Sequence, residues 1–121
     1  MEEERRKPVV WVGDSKRRLK EFPEDVQDEI GFVLERAQWG QRHHHIKSLR
    51  GLKGVFEIVS DYATDTYRAV YVVNLGDKIY ALHCFQKKSK KGISTPKKEM
   101  DLIRRRLKGA QELAKQEKAD E

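Results

Sequence analysis

The chain has 121 residues, of which 38% are charged and 37% hydrophobic, and a formal net charge of +6. That fits one domain with one modest core, and it excludes a membrane-spanning protein, because no apolar run approaches the roughly 20 residues a span needs. A basic balance favours RNA, DNA or an acidic protein partner through long-range attraction, without choosing among them. The charged stretch from Met1 to Lys7 has no apolar segment behind it, so no secretory signal is read. The single cysteine, Cys84, excludes an internal disulfide. Both features lead us to expect a cytoplasmic protein.

Residues 1–7 read as a frayed end. Pro8-Val-Val-Trp-Val12 is a short strand closed by Gly13. Asp14 or Ser15 can cap a short helix carrying Leu19 and Phe22, which Pro23 ends. Glu24 to Trp39 is the clearest helix, with Val26, Ile30, Val33, Leu34 and Ala37 on one stripe and Gly40 as its stop. These two helices form a hairpin whose apolar side needs a sheet.

Gln41 to Lys53 is a polar connector. His43, His44 and His45 are consecutive within it, so on a regular element they do not face one point. We therefore read them as a solvated loop and expect no metal. Three runs follow, joined by short turns: Val55 to Val59, Thr66 to Val73, and Lys78 to Phe85. Spacing of this kind makes an antiparallel meander. In the last run, alternation puts Tyr80, Leu82 and Cys84 on one face and Ile79, Ala81, His83 and Phe85 on the other. Both faces are largely apolar, as in a central strand covered on both sides. Cys84 reads as a small core residue. Arg68 shares a face with Val70 and Val72, where a charge is costly unless it is paired or faces a groove. Glu57 is a candidate partner for it.

Beyond Phe85 six lysines fall within twelve residues: Lys87, Lys88, Lys90, Lys91, Lys97 and Lys98. A cationic segment leaving a buried strand presents charge to a polyanion more firmly than a free tail does. Thr95-Pro96 opens a last helix with Met100, Ile103, Leu107, Ala110 and Ala114 on its stripe. The apolar pattern stops there, and 115–121 reads as a second frayed end. No repeat or second domain is seen, so 1–121 reads as a single domain.

The blocks Leu-Arg-Gly-Leu-Lys-Gly-Val-Phe-Glu-Ile58, Tyr67-Arg-Ala-Val-Tyr71, Leu82-His-Cys-Phe-Gln-Lys-Lys88 and Thr95-Pro-Lys-Lys-Glu99 resemble the RelE/HigB superfamily of toxin–antitoxin toxins. Within it they are most similar to the phage-derived HigB-like branch. The resemblance runs from about Val9 to Leu107. It implies an α+β fold: a small antiparallel sheet with the helical hairpin packed on it and a C-terminal helix. It also implies a metal-independent mRNA endonuclease acting on the ribosome, with no cofactor. Such a toxin is neutralised by a cognate antitoxin, commonly of helix-turn-helix type, and meets operator DNA only through that complex.

RNA cleavage can use the substrate's own 2′-OH as nucleophile. The protein then needs a group to move protons and fixed cations for the charge developing on the phosphate. By resemblance Arg68 clamps the phosphate, Lys87 and Lys88 take the place of basic residues after the last strand, and His83 and Glu57 are candidates for proton transfer. His83 reads equally as a packed histidine. Glu57 stands where RelE itself carries a basic residue, so RelE's proton-transfer scheme does not carry over directly. Lys53, Tyr67, Lys90, Lys91, Lys97 and Lys98 are the candidate RNA contacts, with Tyr67 either stacking on a base or filling the core. Two other functions fit the same fold: a ParE-like toxin that poisons DNA gyrase, and a non-catalytic nucleic-acid-binding domain.

Overall fold

A computed structural model describes residues 5–88 and 95–120 of the chain. Five strands form one sheet in the order β1-β5-β4-β3-β2. They are β1 (Val9–Trp11), β2 (Ile46–Ser48), β3 (Val55–Tyr62), β4 (Asp65–Leu75) and β5 (Lys78–Lys87). Three helices cover the sheet: α1 (Ser15–Lys20), α2 (Glu24–Gln38) and α3 (Lys97–Ala119). The expected α+β architecture is present. The sheet is mixed, however, because β1 runs parallel to β5 while the other neighbours are antiparallel.

The predicted stripe of α2 forms as read. Val26, Ile30, Val33, Leu34 and Ala37 are all buried against Ile58, Tyr67, Ala69, Tyr71, Ile79 and Cys84. Burying a side chain the size of Ile30 is worth about 1.5–3 kcal/mol, so this stripe sets which face of the sheet α2 covers. Leu19 and Phe22 pack on the same side. On the opposite face Met100, Ile103 and Ala110 of α3 meet Val55, Val70, Val72, Tyr80, Leu82 and Phe85. With helices on both faces, β4 and β5 are buried along most of their length, which explains their nearly continuous apolar runs.

Four readings are corrected. β2 lies inside the expected polar connector; with one apolar residue in three it carries no pattern, and only pairing with β3 makes it a strand. Alternation in β5 is broken by a bulge, since Val70 pairs with His83 but Tyr71 pairs with Ala81. The extra residue, Leu82, puts Leu82 and His83 on the α3 face and returns Cys84 to the α2 face. Among the described residues, ordered contacts reach into both stretches read as frayed ends. Lys7 donates its backbone N–H to Gln38 (2.9 Å) and its Nζ to the Val73 carbonyl (2.8 Å), while α3 continues to Ala119 and Glu117 pairs with Lys78 at 2.5 Å. Finally, neither expected side-chain cap forms: Asp14 precedes α1 and Pro96 precedes α3, and neither makes a capping hydrogen bond.

Candidate functional site

Strand register brings the polar residues of the α3 face into three rungs. Lys47, Glu57, Val70 and His83 lie in the first, Val59, Arg68 and Phe85 in the second, and Asp61, Thr66 and Lys87 in the third. Arg68 and Glu57 are thus diagonal neighbours. Arg68 Nη1 donates to Glu57 Oε1 at 2.6 Å, and the residues are only 7% and 5% exposed. Of the two ways a mid-strand charge is tolerated, a partner or a groove, the partner is realised. The pair exists, but on central strands rather than at an edge. Arg68 Nε is shielded and has no hydrogen-bond partner among the described residues. Burial pushes the Glu57 carboxyl above its ordinary value of 4.5, opposed first by Arg68 and then by Lys47 and Lys87. Glu57 is therefore easier to protonate than a surface carboxylate, yet remains held by a cation.

His83 is fully buried. Its Nε2 lies 2.6 Å from Glu99 Oε2, and Arg106 Nη1 lies 3.4 Å from its Nδ1. A neutral ring protonated at Nε2 serves both neighbours, donating to Glu99 and accepting from Arg106. The ring also stacks on Phe85 with centroids 5.3 Å apart. Burial lowers its pKa below 6.5, against the pull of Glu99 and with help from Arg106. With both ring nitrogens engaged, the arrangement is that of a packed histidine.

Arg106 is the residue that joins the elements. It donates through Nη1 to the Leu82 carbonyl (2.9 Å) and through Nη2 to Asp14 Oδ1 (2.6 Å). Arg106 thus gives a side-chain donor to a main-chain carbonyl at the bulge. Gly13 makes the approach possible: its φ is +56°, and a Cβ there would stand 2.8 Å from Arg106 Nη2. Asp14 also accepts from Arg18 Nε at 3.0 Å. Arg106, and then Arg18, hold its carboxyl well below the usual carboxylate range.

The other sequence candidates divide. Lys87 lies on the site face, half-buried, one rung from Arg68, and Lys88 is exposed just beyond it. Lys97 and Lys98 are exposed in the first turn of α3, with Lys97 paired to Asp101 at 2.9 Å. Lys53 is exposed in the turn before β3, at the far end of that strand from Val59, the ladder partner of Arg68. Tyr67 does not join the site: it is buried on the α2 face, its ring 4.9 Å from that of Phe22. Lys90 and Lys91 lie outside the described residues. Burial raises the Cys84 thiol to about 12, as befits a core residue. Sequence reasoning missed Lys47, Glu99, Arg106 and Asp14. Lys47 was lost with β2, and Asp14 and Arg106 are joined only by the fold, 92 positions apart.

A five-stranded sheet covered by two N-terminal helices and one long C-terminal helix is consistent with the RelE-like fold. The family model "Phage derived protein Gp49-like (DUF891)" matches residues 17–108, more than half of the chain. The protein therefore belongs to the phage-derived Gp49-like family, a RelE-like family of toxin–antitoxin systems. The chain has no significant match among curated proteins or solved structures. No helix among the described residues is long and apolar enough to cross a membrane.

Proposed function

We propose that this protein is an mRNA endonuclease of the HigB-like branch, cutting translated message on the ribosome and so arresting growth. The observation that carries the reading is the buried Arg68–Glu57 pair (2.6 Å) on the same face as Lys87. The substrate's 2′-OH attacks the adjacent phosphorus, the P–O bond to the 5′ oxygen breaks, and a 2′,3′-cyclic phosphate forms. The 2′-OH gives up a proton and the leaving 5′ oxygen receives one, so no redox partner, metal or cofactor enters the balance.

Arg68 and Lys87 stabilise charge on the phosphate, Arg68 as a fixed cation whose orientation Glu57 sets. Glu57, with its raised pKa, is the candidate to take the 2′-OH proton. Lys88, Lys97 and Lys98 hold the RNA backbone from the surface, and Lys53 does so from the far end of the sheet. His83 belongs to the scaffold under the site. A cognate antitoxin of helix-turn-helix type neutralises the toxin in the cytoplasm. Their complex represses its own operon, and the toxin meets operator DNA only through it. The whole of 1–121 acts as one toxin domain.

The test is tightly induced expression of wild type and Arg68→Ala in a bacterium, with message 5′ ends mapped across the transcriptome. New ends within translated regions, lost in the variant, are expected. Growth arrest with intact messages and damaged DNA would replace this reading with gyrase poisoning, and neither arrest nor new ends would leave a binding module.

A further inference from the structure

The three consecutive histidines lie in a loop, as expected, where no regular element keeps their rings apart. The chain leaves α2 at Gly40 with φ of +74° and turns at His44 and His45 before β2 begins. In that turn one ligand atom from each ring lies within 4.8 Å of the other two. The His43 and His44 rings stack with centroids 4.5 Å apart, and His44 meets His45 edge-on at 4.4 Å.

A second observation comes from α2. Glu29 Oε1 lies 2.9 Å from His45 Nδ1, and both atoms are shielded from solvent. Neither makes a hydrogen bond of good geometry among the described residues. A shielded carboxylate oxygen and a ring nitrogen so close without an aligned proton between them are poorly satisfied as they stand. Their spacing is near the roughly 3.4 Å that separates neighbouring ligands bound at about 2.1 Å around a tetrahedral zinc ion.

We propose that His43, His44 and His45, with Glu29 beside them, form a binding site for a divalent transition ion of the zinc type. Small ring rotations bring the imidazoles onto a common cation, with His43 giving up the contact its Nδ1 makes to the His45 backbone N–H (3.0 Å). Glu29 supplies negative charge and closes the site or orients His45. His45 is also tied to the sheet, its carbonyl accepting from Val59 N–H at 3.0 Å. A bound ion therefore pins α2 to the open edge of the sheet, apart from the Arg68 face.

The test is calorimetric titration of the chelator-stripped full chain with Zn²⁺ alone. One ion per chain is expected. His44→Ala, at an exposed position, should weaken binding by about tenfold or more, and Glu29→Gln by at least severalfold. Co²⁺ bound to the wild type should show the intense visible absorption of a four-coordinate site, a check that needs no variant. Absence of one-to-one binding overturns the proposal. So does binding by His44→Ala within about threefold of wild type, which marks adventitious capture by any histidine pair, or an octahedral Co²⁺ spectrum. None of these readouts depends on nuclease activity.

Discussion

Arg68 and Glu57 are eleven positions apart in the chain and meet at 2.6 Å in the interior of the sheet, their side chains 8% and 6% exposed. Each charge is tolerable there only because of the other. Removing the carboxylate with Glu57→Ala leaves a buried guanidinium unpaired, which should cost about 3–5 kcal/mol. Replacing both, as Glu57→Leu with Arg68→Met, should recover most of that stability while abolishing activity. Urea unfolding of the three proteins measures both effects. A single-variant loss below about 1 kcal/mol would contradict the burial of the pair.

His83 should make the protein acid-sensitive. Its folded pKa is depressed below 6.5. As pH falls through that value the unfolded chain takes up a proton that the folded chain resists, so the contribution is present at higher pH and lost on acidification. Thermal unfolding between about pH 7 and pH 5 should show this slope, and His83→Gln should flatten it, because glutamine can donate to Glu99 without titrating. Asp14, also depressed, keeps its full contribution down to its ordinary 3.8 and loses it only below, and Glu57, which is raised, slopes the opposite way. Both remain in the variant, so the difference between the proteins isolates His83. Parallel slopes would exclude its role.

Binding to ribosomes or RNA should weaken steeply with salt. Each phosphate neutralised contributes a slope of about −0.7 to −0.9 in log affinity against log salt. Lys88 and Lys98 are exposed and belong to the scaffold of neither core. Alanine at each should reduce the slope by roughly that amount and leave the melting temperature unchanged. A slope unaffected by the double variant would remove this face from the RNA-binding surface.

Much of the fold was legible because it rests on local periodicity. The α2 stripe, the meander from Val55 to Lys87 and the apolar face of α3 all follow from burial at spacings of 3.6 or 2 residues. What failed had no periodicity to read. β2 is three residues long and exists through its pairing, β1 runs parallel because of its place beside β5, and the bulge at Leu82 is a property of two strands together. The histidine triplet lies in a loop as expected, but the approach of its three rings within that turn has no spacing signature to read.

The site shows the same division. Sequence by itself determined that a charged residue would sit mid-strand at Arg68, that Glu57 could face it, and that lysines would follow β5, because alternation and composition need only the local chain. Tertiary structure decided that the pair is buried, that Tyr67 points to the other face, and that His83, Glu99, Arg106 and Asp14 form one network. Those outcomes depend on which elements pack together and on where a bulge places the Leu82 carbonyl. Contacts between residues 92 positions apart are selected by the packing of the whole core, not by any neighbouring stretch of chain.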